Sequence, residues 1–240
     1  MKQTVPKVSI GMPVYNGEPF IREALDSLLA QTFTDFELII SDNASTDMTE
    51  AICREYTIHD RRIRYVRQEE NFGALANFRF VLDEAIGEYF MWAAADDVQH
   101  ENFLQSLVQI LDKHNQFVLA SSSIESIDNC GVKLWDALLD SIYIDDAMIN
   151  PGENRKLFFR NPISNVFFSI YGLYRKEVLK SADLNYKGMV KYLSGSEIPL
   201  LAQVALKGMI TSIPQTLKKY RRHPDSVYYS EQNEKGFFLT

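Results

Sequence analysis

The first half of the chain alternates between two hydrophobic patterns. Short apolar runs of strand length are separated by segments in which apolar residues recur every three or four positions, as in an amphipathic helix. The predicted strands cover residues 8–12, 36–40, 63–66 and 117–121, and a fourth strand lies between the last two in the stretch 89–97, which ends in Asp96-Asp97. The predicted helices cover residues 19–30, 47–56, 75–86 and 101–114. This alternation predicts an α/β fold with a doubly wound, parallel sheet and right-handed crossovers.

The pattern changes after residue 121. Residues 124–135 can form a hairpin around Asp128-Asn129-Cys130-Gly131, and the irregular, acidic residues 136–150 predict a flap. Helical spacing returns at residues 153–160 and 197–206, and further strands are predicted at residues 165–174, 210–213 and 216–220. Because the sequence contains neither an internal repeat nor a linker, we predict a single domain over residues 1–240.

Composition narrows the class of protein. The 240 residues are 46% hydrophobic, and the net charge of −7 does not favour nucleic-acid binding, which uses a basic face. Basic clusters at residues 61–67 and 218–222 could contact phosphates or anionic lipid heads locally. No apolar run approaches the roughly 20 residues of a membrane helix, and residues 1–7 lack the apolar core of a signal peptide. We expect a cytoplasmic protein, and peripheral association with the inner face of the membrane stays open.

Several familiar motifs are absent from the sequence. No Gly-x-Gly-x-x-Gly follows the first strand, which disfavours a dinucleotide dehydrogenase, and no P-loop sequence is present. No Gly-x-Ser-x-Gly marks an α/β-hydrolase, and no His-x-x-x-His pair offers a zinc site. The residues at the strand ends are therefore the candidates for chemistry.

Polar residues follow three of the predicted strands. They are Tyr15 and Asn16 after the first strand, Asp42 after the second, and Asp96-Asp97 after the fourth. The carboxyl ends of parallel strands meet at one sheet edge, where ligands bind. Tyr15 could stack on a base and Asp42 could accept a base N–H, while adjacent carboxylates resist joint ionisation unless a cation joins them. The set predicts a site for a nucleotide diphosphate with a divalent cation.

Each of these residues also has a purely structural interpretation. Asp96-Asp97 could cap the helix that begins near Glu101, and Asp42 could form an Asx-turn. Tyr15 could be a half-buried aromatic residue of a loop. No single residue decides between the interpretations, but three strand ends at one edge favour the ligand site.

Four motifs in series resemble those of the family 2 glycosyltransferases with the GT-A fold. They are residues 8–16, Ser41-Asp42-Asn43-Ala44-Ser45-Thr46-Asp47, Asn71-Phe72-Gly73 and Ala95-Asp96-Asp97. A weaker likeness continues through Gly172-Leu173-Tyr174-Arg175 to about residue 210. The resemblance implies a Rossmann-like, mostly parallel central sheet in one GT-A domain. Residues 1–122 would bind the nucleotide sugar, and residues 123–240 would form the smaller acceptor side and a C-terminal loop.

The resemblance also implies an activity. The family uses a nucleotide-sugar donor, usually a UDP- or dTDP-sugar, and inverts the anomeric carbon with Mg²⁺ or Mn²⁺ bound. The acceptor would be a saccharide or a lipid-linked saccharide, as in surface polysaccharide synthesis. When the roles are carried over motif by motif, Asp42 would face the base and Asp96 would face the ribose or the sugar. Asp97 would hold the metal, with Asp96 beside it. The implied donor-binding residues are Pro13, Tyr15, Asn16, Asp42, Asn71, Gly73, Asp96, Asp97 and His223.

Glu197 is the candidate catalytic base. The family often has a Glu-Asp pair at the start of a C-terminal helix, and Ser196-Glu197 is the match here. Glu197 could instead be a first-turn acid that complements the helix dipole. In that case the acids near the flap, Asp136, Asp140, Asp145 and Asp146, become the candidates. No Gln-x-x-Arg-Trp follows, which puts processive synthesis in doubt and favours a single transfer.

His223 is a further candidate for contact with the donor. His223 could contact the diphosphate or the metal from a C-terminal loop, or it could be an exposed loop histidine.

Two other classes of protein offer alternative interpretations. A receiver-like module would carry its acidic pair after the first strand, but that strand ends in Pro13-Val14-Tyr15. A non-catalytic nucleotide-sugar binding protein stays open as the alternative function.

Overall fold

The computed structural model describes residues 5–137, 150–160, 169–183 and 197–224. The first half comprises β1 (Val8–Val14), α1 (Ile21–Leu29), β2 (Phe36–Asp42), α2 (Thr49–His59), β3 (Ile63–Arg67), α3 (Ala74–Asp83), β4 (Tyr89–Trp92), β5 (Val98–Gln99) and α4 (Phe103–Lys113). The second half comprises β6 (Phe117–Ile127), β7 (Lys133–Ala137), α5 (Pro151–Arg160), β8 (Leu173–Arg175), α6 (Lys176–Lys180), α7 (Glu197–Lys207) and β9 (Met209–Arg221).

The described strands form one sheet in the order β3-β2-β1-β4-β8-β6-β9-β5, with β7 paired to β6. β1, β2, β3, β4, β6 and β9 run in one direction, because β8 is antiparallel to both β4 and β6. The prediction of a doubly wound, mostly parallel α/β sheet is therefore confirmed. β2 and β3 lie on one side of β1, and β4 lies on the other. Ligands bind where the strand order reverses in this way, so the ligand crevice is expected between the carboxyl ends of β1 and β4.

Alternate residues of β2 enter two different cores. Leu38 and Ile40 join the apolar cluster under α1, α2 and α4, whereas Ile39 joins the cluster under α3, α6 and α7. A strand buried on both faces requires the continuous apolar run seen in the sequence. The helices on both faces hold the strand ends in fixed positions and leave the edge of the sheet open for a ligand.

Gly11 in β1 has no room for a side chain. A Cβ there would lie 2.6 Å from Val81 Cγ2 and 2.9 Å from Phe90 Cζ. We expect Gly11→Ala to lower the free energy of unfolding by about 1–3 kcal/mol, because the packed core must shift to admit the methyl group. Urea denaturation measures this loss. Gly152→Ala, in the first turn of α5, is the control: its Cβ would meet a side-chain oxygen of Asn150 at 3.1 Å and no core residue, so its effect should be smaller than that of Gly11→Ala. An unchanged free energy of unfolding in Gly11→Ala would contradict the packing argument.

Three expectations about elements need correction. The two strands expected around Pro214 are one strand, β9, whose register against β6 skips Pro214 and Gln215. Pro214 lacks the N–H that a ladder needs, so the strand continues through an irregularity. β5 was not predicted, because two residues give no periodic pattern. The strand expected at residues 165–174 is wrong over 169–172, where a helix ends in a turn closed by the Gly172 N–H and the Ser169 carbonyl; Leu173 and Tyr174 lie in β8, and residues 165–168 lie outside the described ranges.

The expected flap lies largely outside the described residues, since residues 138–149 are not among them. The hairpin before it is confirmed, because β6 and β7 pair antiparallel across the turn at residues 128–131. None of the helices in the described ranges is both long and apolar enough to cross a bilayer.

Candidate functional site

Asp42, the last residue of β2, lies at the centre of the polar edge and is fully buried. Its Oδ2 accepts hydrogen bonds from Tyr65 Oη at 2.7 Å and Arg67 Nη1 at 3.2 Å. Its Oδ1 accepts the Ser45 N–H at 2.8 Å, so Asp42 does stabilise the turn after β2, and its contact with a base stays a prediction. The parallel register puts Arg67 directly beside Asp42. Burial and the neighbouring carboxylate raise the pKa of Tyr65, which keeps that hydroxyl a donor.

The loop after β1 is tied to the loop after β2. Asn16 has a left-handed backbone, with φ of 53°. Its Oδ1 accepts the Thr46 N–H at 2.8 Å, and its own N–H donates to Ser45 Oγ at 2.9 Å. Pro13 lies in β1 opposite Ser41. Tyr15 projects from this joined pair of loops and is 49% exposed, so its ring can be reached by a ligand.

The Asn71-Phe72-Gly73 motif is linked to the same edge. Asn71 Oδ1 accepts Asn43 Nδ2 at 2.7 Å and the Gly73 N–H at 2.9 Å, and Asn43 Oδ1 accepts the Phe72 N–H at 3.0 Å. Gly73 has φ of 85° with open space where a Cβ would lie. The backbone conformation, rather than crowding, therefore requires glycine here. Three of the four motifs thus form one hydrogen-bonded assembly.

The two acids of the fourth motif have different environments. Asp96 is partly exposed, and its Oδ2 lies 2.9 Å from His223 Nε2. Asp97 is fully buried; its Oδ1 accepts the Arg221 N–H at 3.0 Å, and its Oδ2 lies 2.8 Å from Lys218 Nζ. Burial raises the pKa of Asp97 and the charge of Asp96 adds to this, while Lys218 opposes it. Neither acid caps α4, whose N-cap is Asn102, so the helix-cap interpretation is wrong.

Arg221, at the end of β9, holds several segments around the acid pair. Its buried guanidinium donates to the Asp96 carbonyl at 2.9 Å and to the Asp128 carbonyl at 3.2 Å, and it pairs with Glu23. It also stacks over the ring of Phe20 at 4.8 Å. Through these contacts the end of β9, the start of α1 and the β6–β7 turn all meet at the acid pair.

His223 follows β9 and points into the site. Its ring lies 4.7 Å from that of Phe20, and its side chain is 11% exposed. The interpretation as an exposed loop histidine is therefore wrong. Its Nδ1 is buried and has no hydrogen-bond partner among the described residues. The expectation that His223 contacts a diphosphate or a metal stays a prediction.

Glu197 is the first residue of α7, and its side chain is outside the described part of the chain. Among the acids that would replace it as the base, Asp136 lies in β7 and pairs with Lys133 at 2.8 Å. Asp140, Asp145 and Asp146 lie outside the described residues. The catalytic role of Glu197 stays a prediction.

The residues that could hold a divalent cation are Asp96 and His223. A carboxylate oxygen and an imidazole nitrogen 2.9 Å apart are ligands that Mn²⁺ accepts, and Mg²⁺ accepts the carboxylate. Asp97, the acid that the resemblance assigns to the metal, is fully buried with its Oδ2 2.8 Å from Lys218 Nζ, so its role as a metal ligand stays a prediction. Within the described ranges no three His, Cys, Asp or Glu side chains form a complete metal site. The side chains therefore fit a cation whose remaining ligands come from phosphate and water.

Sequence reasoning did not assign Tyr65, Arg67 and Lys218 to the site. The available signal was the position of basic residues in the two clusters at residues 61–67 and 218–222. Arg67 could have been placed beside Asp42 once β2 and β3 were taken as parallel neighbours that end together. Lys218 could not be placed beside Asp97 in this way, because their pairing depends on the position of β9, which is distant in the sequence.

Proteins similar to this chain include glycosyltransferases. A family model described as Glycosyl transferase family 2 matches residues 9–182. An uncharacterized glycosyltransferase of Haemophilus influenzae is 28% identical over 239 residues, covering 97% of this chain and 71% of its own length. The putative glycosyltransferase EpsE of Bacillus subtilis is 33% identical over 129 residues, covering 53% of this chain and 46% of its own length.

Two solved structures share the fold. Staphylococcus aureus TarS 1–349 in complex with UDP-GlcNAc superposes with a TM-score of 0.70 at 19% identity, covering 93% of this chain and 61% of TarS 1–349. The mannosyltransferase PcManGT from Pyrobaculum calidifontis, in complex with GDP-Man and Mn²⁺, has a TM-score of 0.66 at 17% identity. The match covers 97% of this chain and 61% of the PcManGT chain. The chain thus has the GT-A fold and spans less than two thirds of these structures.

Proposed function

Because the chain belongs to glycosyl transferase family 2, we propose that it moves one sugar from a nucleotide-diphosphate donor to a hydroxyl of a saccharide or lipid-linked acceptor. The proposed donor is a UDP- or dTDP-sugar, and the proposed outcome is inversion at the anomeric carbon. The observation that carries this proposal is the placement of Tyr15, Asp42 and Asp96 at or after the ends of the parallel neighbours β1, β2 and β4, with the loops of Tyr15 and Asp42 tied by hydrogen bonds. A lipid-linked acceptor would bring the reaction to the cytoplasmic face of a membrane, as in surface polysaccharide synthesis.

Donor binding is assigned to the first half of the chain. Tyr15 offers an exposed ring for stacking on the base, and the Asp42 network offers fixed polar groups for its edge. Among the neighbours, TarS is complexed with UDP-GlcNAc and PcManGT with GDP-Man, so the fold itself does not select the base. The choice of uracil or thymine rests on the resemblance of the motif around Asp42.

The chemistry requires placement and charge more than covalent participation. Asp96 and His223 would hold the divalent cation, which, when bound, neutralises charge on the leaving diphosphate. Asp42 and Tyr15 would fix the nucleoside so that the anomeric carbon faces the acceptor. The acceptor oxygen would attack that carbon as the bond to the diphosphate oxygen breaks, and Glu197 would take the proton from the hydroxyl. Each role can be tested with a separate variant.

Removing the divalent cation should weaken binding of UDP by at least about tenfold, a change of roughly 1.4 kcal/mol. The physical reason is repulsion, because the proposed site places the diphosphate beside the carboxylates of Asp96 and Asp97. Calorimetry with UDP in Mn²⁺ and in EDTA measures the difference. Uridine, which has no diphosphate, is the control and should bind equally in both buffers. Equal affinity for UDP with and without the cation would remove the metal from the proposal.

Incubation with a UDP-sugar separates the enzyme from a non-catalytic binding protein. Release of UDP, by transfer to an added acceptor or by slow hydrolysis, supports the proposed activity. Tight donor binding with no UDP released across a panel of sugars and acceptors would favour the binding protein.

A further inference from the structure

Asp97 and Arg221 are joined by hydrogen bonds that run in opposite directions. The Arg221 N–H donates to Asp97 Oδ1 at 3.0 Å, and Arg221 Nε donates to the Asp96 carbonyl at 2.9 Å. The side chain of each segment therefore binds the backbone of the other. These two bonds fasten the connection between β4 and β5 to the end of β9, although 124 positions separate Asp97 from Arg221 in the sequence.

The other oxygen of Asp97 faces a cation that belongs to the protein. Lys218 Nζ lies 2.8 Å from Asp97 Oδ2, and the two side chains are 3% and 1% exposed. The ammonium is also held over the Tyr171 ring, 3.7 Å from its centroid. A divalent ion could reach Asp97 only by displacing this ammonium, which would leave a buried charge without its partner. The surroundings of Asp97 therefore do not fit a metal ligand.

The contact between Asp97 and Arg221 also determines where His223 lies. His223 follows Arg221 by two residues, and its Nε2 is 2.9 Å from Asp96 Oδ2. Alternate residues of an extended segment point to the same face, and both side chains pack on the Phe20 ring, at 4.8 Å and 4.7 Å. A shift of the Arg221 backbone would therefore carry His223 away from Asp96.

We propose that Asp97 is a positioning residue, which holds the end of β9 so that His223 meets Asp96, and that Asp97 does not itself bind the divalent cation. This inference rests on the proposed function, in which Asp96 and His223 hold that cation. It departs from the role that the resemblance implies for Asp97, because this carboxylate is buried and already has a counter-ion. The partly exposed acid of the pair faces the ligand, and the buried acid fixes the strand that brings His223.

The test separates the charge of Asp97 from its contact with the Arg221 N–H. The polar pair variant, Asp97→Asn with Lys218→Gln, removes both buried charges, and an amide oxygen can still accept the N–H. The apolar pair variant, Asp97→Ala with Lys218→Met, removes the charges and the acceptor. Asp97→Asn alone leaves the ammonium buried without its counter-ion, so it should unfold at a lower temperature than the polar pair variant.

The first measurement asks whether Asp97 binds the metal. The metal ratio is the Kd of UDP in EDTA divided by its Kd in Mn²⁺, both measured by calorimetry. Asp96→Asn, the same substitution at the adjacent acid, is the matched control and should lower the ratio to about one. We expect the polar pair variant to keep a ratio within about threefold of the wild-type value. A fall to about one, as in Asp96→Asn, would overturn the proposal.

The second measurement asks whether Asp97 positions His223. The NMR signal of the His223 ring is recorded in EDTA, and His223→Gln identifies it among the four histidines. We expect this signal to shift in the apolar pair variant, with a fall of at least about threefold in the metal ratio. The signals of His59 and His114 should stay unchanged, because a local displacement leaves α2 and the end of α4 in place. An unchanged His223 signal and metal ratio would overturn the positioning role.

The outcomes separate this inference from the proposed function. If the wild-type protein binds UDP with a metal ratio of about one, the metal part of the proposed function fails. The His223 signal in EDTA then still tests the hold of Asp97 on β9. If the wild type shows the Mn²⁺ effect and the polar pair variant loses it, the proposed function stands and this inference fails. If the apolar pair variant does not fold, the comparison of the polar pair variant with Asp96→Asn decides.

Discussion

Replacing Glu197 by glutamine is expected to lower turnover by about two to four orders of magnitude, the usual scale for losing a general base. Affinity for the donor should be nearly unchanged, because glutamine keeps the size of the side chain and removes its basicity. Steady-state kinetics with a true acceptor, together with calorimetry on UDP, separate the two quantities.

The position of Glu197 in the fold supports this expectation. α7 ends at Lys207 and leads into β9 at Met209, which pairs with Phe117 at the start of β6. The carboxyl end of β6 lies at the ligand edge, so the C-terminus of α7 lies at the opposite edge. A helix of 11 residues is about 16 Å long, which brings its first residue back toward the ligand edge as the helix runs along the sheet.

Glu153→Gln provides the control for this experiment, because Glu153 is a first-turn acid of α5. If Glu197 merely complements a helix dipole, both variants should lose roughly 0.3–1 kcal/mol of stability and keep their turnover. Near-normal turnover in Glu197→Gln would remove Glu197 from the mechanism. The base would then be sought among Asp136, Asp140, Asp145 and Asp146.

Replacing Asp42 by alanine is expected to weaken binding of both UMP and UDP and to lower the free energy of unfolding by about 3 kcal/mol. The loss has two causes. The Ser45 N–H and the Tyr65 hydroxyl lose a buried acceptor, and Arg67 loses a buried partner. The value is at the lower end for a broken buried pair, because Arg67 is one-third exposed and also contacts Glu50.

Two further variants separate the structural from the ligand-binding role of Asp42. Asp42→Asn keeps an acceptor for Ser45 and should cost less stability, but it should still weaken UMP binding. Asp26→Ala also removes an acceptor of a tyrosine hydroxyl, that of Tyr56 at 2.7 Å, from an exposed site on α1. It should bind UMP normally. Wild-type affinity for UMP in Asp42→Asn, measured by calorimetry below its unfolding temperature, would contradict a role in base recognition.

Much of the fold could be predicted because its signals are local. β1 to β4 begin at the residues expected from the apolar runs, and the helices between them overlap the predicted segments, with ends that differ by up to three residues. Parallel neighbours with crossover helices then bring the ends of β1, β2 and β4 to one edge. The meeting of Asn16 with the loop after Asp42 follows from that rule and is confirmed by direct hydrogen bonds.

The partners of each charged side chain could not be predicted in the same way. Asp96 and Asp97 are adjacent in sequence, yet one is partly exposed beside His223 and the other is buried beside Lys218. Lys218 reaches Asp97 because β9 returns between β6 and β5. β5 has two residues and forms by pairing with β9, so no periodic pattern in the sequence predicts it.

Local signals in the sequence were enough to predict the alternation of strands and helices, the edge of the sheet where polar residues meet, and the family that these motifs resemble. Periodicity and turn residues act over a few positions, so they can be read without the fold. The tertiary structure decided which charges meet, because the Asp97–Lys218 pair joins residues far apart in the sequence through the order of strands. Burial then sets how strongly such a pair interacts, since removal from water depends on every element packed around it.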